Sequence, residues 1–318
     1  MIKRRTFVKK AVWSAFASYA LPLMTYGSNF SVEMRDTKST DPKLSLAQWS
    51  LHRQFNNGRL DPNDFASIAI NTYGINAVEY VNQFYEDSAE DEKFWINMRE
   101  HADNVGVKSL LIMVDGEGDL GNANNVARKK SVENHYKWVN TAKILGCHSI
   151  RVNAFGDEDK NIFRSAIIDG MGQLSDYAGK ENINVIIENH GLYSSDAKLI
   201  TEIIEQVNRS NFGTLPDFGN WCLSAKWGST QGDCSKVYDK YQGVSEFLPY
   251  AKGVSAKSYD FNEAGEDTRI DYYKMLEIVK SAGYDGHIGI EYEGQILSEH
   301  EGILATKSLI EKVWNSLE

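Results

Sequence analysis

Glu188 and His190 stand two residues apart at the end of an apolar, β-branched run, in the stretch VIIENHG (residues 185–191). Alternation along a strand puts residues two apart on one face, so this carboxylate and imidazole point the same way. A buried strand tipped with both groups implies that something is held there. Polar residues close other apolar runs in the same manner: Gln48 and His52, Glu79, Asp115, Arg151 and Asn153, Asp217, Ser255 and Lys257, Glu291 and Glu293. Carboxylates that converge repel one another unless a cation sits among them. Glu188, Asp217 and Glu291 would offer hard oxygen ligands to one Mn2+ or Mg2+ ion, and an imidazole widens the choice to Zn2+ or Co2+. The plainer reading is that these are strand-end carboxylates paired with Lys257 and Arg151.

The elements that must position these groups repeat one theme from Leu44 onward: a short apolar run, an amphipathic stretch, a glycine, and the next run. The runs are LSLAQWSL (44–51), INAVEY (75–80), VKSLLIMVD (107–115), HSIRVNAF (148–155), INVIIENH (183–190), FGTLPDF (212–218), GVSAKSYDF (253–261) and HIGIEYEG (287–294). Asp61-Pro62 reads as a helix start and Gly74 as its end, while Gly106, Gly146 and Gly283 stand just before later strands, where left-handed caps belong. Eight strand–helix units with continuous apolar strands predict a parallel sheet closed into a (β/α)8 TIM barrel spanning residues 44–318. An open doubly wound sheet would want a glycine-rich phosphate loop after an early strand. GEGDLGNAN (116–124) lacks the Lys-Ser/Thr of such a loop and reads as a turn. In a barrel, chemistry gathers at the C-terminal ends of the strands, where the polar roster falls. Trp49, Tyr80, Phe218 and Trp221 at strand ends could offer aromatic faces to a bound ligand or simply pack above the core. His101 and His135 fall in helical stretches and read as surface residues; His148 and His287 open strands, at the wrong end for catalysis.

The first 27 residues read as a cleavable signal peptide rather than as fold. A basic segment containing Arg4-Arg5 precedes an apolar run, AVWSAFASYALPLM, too short and too interrupted to span a bilayer. The paired arginines resemble the twin-arginine export signal, which implies a periplasmic protein that meets the membrane only during export. Residues 28–43 read as a flexible lead-in. The formal charge is −10, and removal of the five basic residues of the signal takes it to −15. So acidic a chain disfavours nucleic acid as a partner. Cys147, Cys222 and Cys234 are too few for a disulfide framework, although a Cys222–Cys234 bridge is open to an exported protein.

VIIENHG, TLPDFGNW and the block IDYYKMLEIVKSAGYDGHIGIEYEG together resemble the xylose isomerase-like barrels, the sugar (phosphate) isomerase/epimerase family. The resemblance covers most of residues 44–317 and is clearest after residue 180. It implies one metal held by Glu188, Asp217, position 255 and Glu291. Position 255 departs from the pattern: where the family usually has His-x-Lys-Asp, this chain reads Ser255-Ala256-Lys257-Ser258. His190 could replace the missing imidazole, or Lys257 could neutralise the carboxylates in place of a metal. The resemblance further implies that Glu188 and Glu291 act as an acid/base pair on a free sugar, glycoside or keto-sugar, taking a proton beside a carbonyl through an enediolate. His190 and Lys257 would assist, and Trp49, His52, Glu79, Asn153 and Trp221 would contact the carbohydrate. The same enediolate could expel a β-substituent, which makes a dehydratase or lyase the alternative. A non-catalytic carbohydrate-binding barrel is the other. The related apurinic-site endonucleases need more histidine ligands than His52 and His190 provide.

Overall fold

The computed structural model describes residues 41–317. Residues 1–27, read above as a signal peptide, and residues 28–40 of the lead-in lie outside the described residues. Eight parallel strands follow in order: β1 (Leu44–Ala47), β2 (Ala77–Val81), β3 (Lys108–Met113), β4 (Ser149–Val152), β5 (Asn184–Glu188), β6 (Phe212–Leu215), β7 (Val254–Ser258) and β8 (Ile288–Tyr292). Each coincides with one of the eight apolar runs. Helices α1 (His52–Asn56) and α2 (Phe65–Tyr73) follow β1. Then come α3 (Glu92–Asn104), α4 (Asn125–Leu145), α5 (Lys160–Lys180), α6 (Ala197–Val207), α7 (Lys240–Phe247), α8 (Tyr272–Ser281) and α9 (Glu299–Ser316), one after each later strand.

The ladder runs β6-β5-β4-β3-β2-β1-β8-β7. The remaining junction, between β6 and β7, is joined by isolated parallel bridges at Thr214–Ala251 and Asp217–Ser255. Three backbone bonds serve it: Lys252 N–H to Thr214 O, Ser255 N–H to Pro216 O and Phe218 N–H to Ser255 O, each 3.0 Å. The curl of eight parallel strands under helices is the architecture that the repeating runs predict.

Strand parity decides what faces where. Val185 and Ile187 pack outward with the helices, as do Val254, Ala256, Ile288 and Ile290. Ile186, Leu111, Met113, Val81 and Leu215 form a separate cluster inside the barrel. Glu188, Ser255, Lys257 and Glu291 share the inward parity and continue that interior toward the C-terminal end. Glu79 is also inward but one layer lower, beside Ala47 of β1. Its carboxylate accepts from Ser45 Oγ at 2.6 Å and fills the space beside Gly289, where a Cβ would lie 2.6 Å from Oε1.

The punctuation holds as well. Asp61 caps the turn that begins with Pro62 and leads into α2, and Gly74 and Gly146 close α2 and α4 in the left-handed conformation. His135 departs from its surface assignment. The 21-residue α4 turns it toward the barrel, where it is buried and hydrogen-bonded to the Ser131 carbonyl at 2.7 Å.

Candidate active site

Every residue of Glu188-Asn189-His190-Gly191 has a distinct task. Glu188 points inward and is 1% exposed. Asn189 points the other way and pins the end of β6, accepting from Asp217 N–H at 2.7 Å and donating to Asp217 O at 3.0 Å. His190 returns to the inner face. Gly191, at φ 97°, lies so close to the segment after β6 that a Cβ there would sit 2.3 Å from the Ala225 carbonyl.

Glu188, Asp217 and Glu291 each place a carboxylate oxygen within 4.8 Å of the other two. Asp217 Oδ1 accepts from the backbone N–H groups of Gly219 (2.7 Å) and Asn220 (2.8 Å), which fixes its rotamer. Glu188 Oε1 accepts from Asn220 Nδ2 at 3.0 Å, while its Oε2 lies 2.8 Å from Arg151 Nε. Arg151 Nε makes no hydrogen bond, so the contact is Coulombic. Lys257, 2% exposed, places Nζ 3.2 Å from Glu291, 3.4 Å from Glu293 and 3.8 Å from Asp217. Ser255 Oγ stands between the triad members, 2.7 Å from Asp217 Oδ2 and 2.8 Å from Glu291 Oε2. A hydroxyl has one hydrogen and donates to only one of them. The other contact calls for a proton on the carboxyl, and burial provides for it by pushing Asp217 up to about 8.

Burial likewise pushes Glu188 up to about 7, with Arg151 opposing it. At Glu293 burial also works against ionisation, but Lys257 and the Trp49 indole N–H, 2.7 Å away, hold the carboxyl below its usual range. Asp115 resists burial through Arg151, 2.6 Å away, and lies near 2. Because Asp115 is ionised, it can only accept, so Asn153 Nδ2 donates to it at 2.6 Å. The Asn153 amide oxygen therefore faces His190 Nδ1, 2.7 Å away, and takes its proton. Burial and Arg151 together lower His190 to about 3. It is a neutral imidazole whose Nε2 is left as an acceptor.

Above this floor lies a cavity of about 380 Å3, lined by Trp49, Val81, Gln83, Met113, Asp115, Arg151, His190, Asn220, Trp227, Ser229, Lys257, Glu291 and Glu293. Its size falls within the roughly 300–1,000 Å3 of small-molecule sites. Among the sequence-predicted residues, Trp49, His190, Lys257 and Glu291 line this cavity, while Glu188 and Asp217 join Glu291 in the buried carboxylate cluster. His190 is held by Asn153 and stands outside the carboxylate cluster, so it does not replace the missing imidazole in this arrangement.

The expected carbohydrate contacts are otherwise dispersed. His52 stacks on Trp49 at 4.5 Å, outside the cavity lining. Asn153 orients His190 and Asp115 from the side. Glu79 is sealed in the layer below. Trp221, 0% exposed, packs on Tyr238 and Phe247 in the outer core. Tyr80 and Phe218 are equally buried. Asn220 and Trp227 escaped the sequence reading, because both lie beyond β6 in a segment without periodicity. Cys222 and Cys234, left open above, form a disulfide within that segment.

The family model described as xylose isomerase-like TIM barrel matches residues 68–312. The chain belongs to that family. No curated protein sequence matches it. Similar solved structures include a D-tagatose 3-epimerase-like protein, 18% identical, covering 86% of this chain and 98% of its own, with a TM-score of 0.64. An IolI protein with a bound zinc atom is 15% identical, covers 87% and 99%, and has a TM-score of 0.63. The 3-keto-D-glucoside 4-epimerase of E. coli is 12% identical, covers 86% and 99%, and has a TM-score of 0.56. At such identities the likeness establishes a common fold.

Three buried hard-oxygen donors within 4.8 Å of one another fit a divalent cation. Glu188, Asp217 and Glu291 would hold it, with Ser255 Oγ adjacent, and the ion would supply Lewis-acid stabilisation of a substrate oxygen.

Proposed function

We propose that this protein is an exported sugar isomerase or epimerase that moves a proton at a carbon beside a carbonyl. The observation that carries the reading is the close placement of Glu188 and Glu291 in one carboxylate cluster, with Glu291 beside the buried ammonium of Lys257 in the lining of the cavity. A carboxyl raised to about 7 is a stronger base than an ordinary one, and in its ionised form Glu188 can take a carbon-bound proton near neutral pH. As that proton leaves, charge develops on the carbonyl oxygen of the substrate. Lys257 and Arg151 are fixed, desolvated cations facing the same space, and such groups stabilise developing charge without reorganisation. Glu291, joined to Lys257 and Ser255, is the second carboxylate: a proton passed from Asp217 through the Ser255 hydroxyl reaches it and is delivered to carbon, while Glu188 keeps the one it took. His190 Nε2 accepts a substrate hydroxyl.

The neighbouring folds whose names include tagatose and keto-glucoside epimerases support a carbohydrate substrate. A keto-sugar lyase would use the same first step. The Cys222–Cys234 bridge supports export to the periplasm, since such bonds persist in oxidising compartments. The test is hydrogen exchange in D2O with keto-sugars. The wild type should incorporate deuterium beside the carbonyl, and Glu188→Gln should lose roughly 10²–10⁴-fold in rate with little change in melting temperature. Wild-type exchange in Glu188→Gln would move the base to Glu291 or His190.

A further inference from the structure

Trp227 combines three properties that seldom coincide. It is 46% exposed, it lines the mouth of the cavity, and its backbone lies at φ 70°, a region that bulky side chains avoid. An outlier of this kind persists only where its surroundings fix it, and it points to function. The surroundings do fix it. Lys226 pairs with Gly191 in an antiparallel bridge, Leu192 N–H reaches the Cys222 and Ala225 carbonyls, and Cys222 N–H donates to Gly228 O at 3.0 Å. The disulfide to Cys234 closes the same segment. Phe155 and His190 brace the indole nearly perpendicular to their own rings, at 5.5 and 5.1 Å. The indole is therefore rigid and presented to solvent rather than loosely exposed.

We infer that Trp227 is the stacking platform for a second ring of the substrate, so that the site takes a glycoside or disaccharide rather than a lone monosaccharide. This rests on the carbohydrate reading of the same cavity. The reacting carbon must lie over Glu188 and Glu291, which are 1% and 4% exposed, whereas the indole stands at the rim. The indole lines the same cavity as Glu291 but at its exposed side, so it meets a part of the ligand other than the reacting carbon. An indole offers a flat apolar face of large area to the C–H face of a sugar ring.

Titration calorimetry of the full chain against glucose, galactose and xylose, and against cellobiose, lactose, maltose and xylobiose, tests the inference. At least one disaccharide should bind roughly tenfold more tightly than its own monosaccharide. In Trp227→Gly, which accommodates the left-handed backbone, that ratio should collapse toward one, and Trp227→Phe should restore most of it. Melting curves of both variants check folding. Equal affinities in the wild type, or a ratio that survives Trp227→Gly, would overturn the glycoside inference. If keto-sugars still exchange deuterium in either case, the isomerase reading stands without it. Failure of every sugar to bind, with no deuterium exchange, would remove both.

Discussion

One proton separates two states of the contact between Asp217, Ser255 and Glu291. With Asp217 protonated, the hydroxyl relays a hydrogen bond between the carboxyls; with all three carboxylates ionised, the cluster calls for a divalent ion in addition to Lys257. The purified protein should hold up to one such ion, and Asp217→Ala should lose it by elemental analysis. A metal-free wild type whose melting ignores added Mn2+, Co2+ or Zn2+ would leave Lys257 and Arg151 as the counter-charges. Glu79 gives a separate prediction. Burial raises it to about 7 in the fold against an ordinary 4.5, so its contribution is complete below about 4.5 and fades as pH rises through about 7. Glu79→Gln should therefore gain up to about 3 kcal/mol at pH 8 and little at pH 5, read by thermal melts at both. Glu188, Asp217, Lys257 and Glu291 were legible as strand-end residues of shared parity. Glu79 was legible as inward but not as a layer too low, because depth along a strand depends on the stagger between neighbours.

The segment between β6 and α7 is the element on which the cavity wall depends. Its fold rests on the Cys222–Cys234 bridge and on hydrogen bonds to the chain after β5. Replacing both cysteines by serine should cost about 2–4 kcal/mol of stability. It should also raise KM more than it lowers kcat, since the segment carries Trp227 and Asn220 but no proposed base. Unchanged KM and melting temperature would show that the hydrogen bonds suffice. The strands could be read from sequence because each is a continuous apolar run, and helix ends because Asp61, Gly74 and Gly146 mark them chemically. This segment could not. Its order comes from a covalent bond and from the pairing of Lys226 with the distant Gly191, and neither leaves a periodic trace. Trp221 differs from a strand-end residue for the same reason: it lies in this aperiodic segment, where packing on Tyr238 and Phe247 holds it in the outer core.

At the scale of the molecule, the acidic charge and the basic, apolar leader belong to one reading, that of a protein exported before it works. Changing Arg4 and Arg5 to Lys should trap the precursor in the cytoplasm, as cell fractionation would show, and unchanged periplasmic recovery would remove twin-arginine export. The barrel itself has a clasp. Seven of its eight junctions are hydrogen-bonded strand ladders, and the eighth, between β6 and β7, is fastened at Thr214–Ala251 and Asp217–Ser255. The carboxylate cluster straddles that clasp, with Asp217 on one lip and Ser255, Lys257 and Glu291 on the other side. Whatever binds the cluster also ties the lips together. Occupancy of the site and closure of the cylinder thus draw on the same free energy, and a ligand held there acts as the last rivet of the fold.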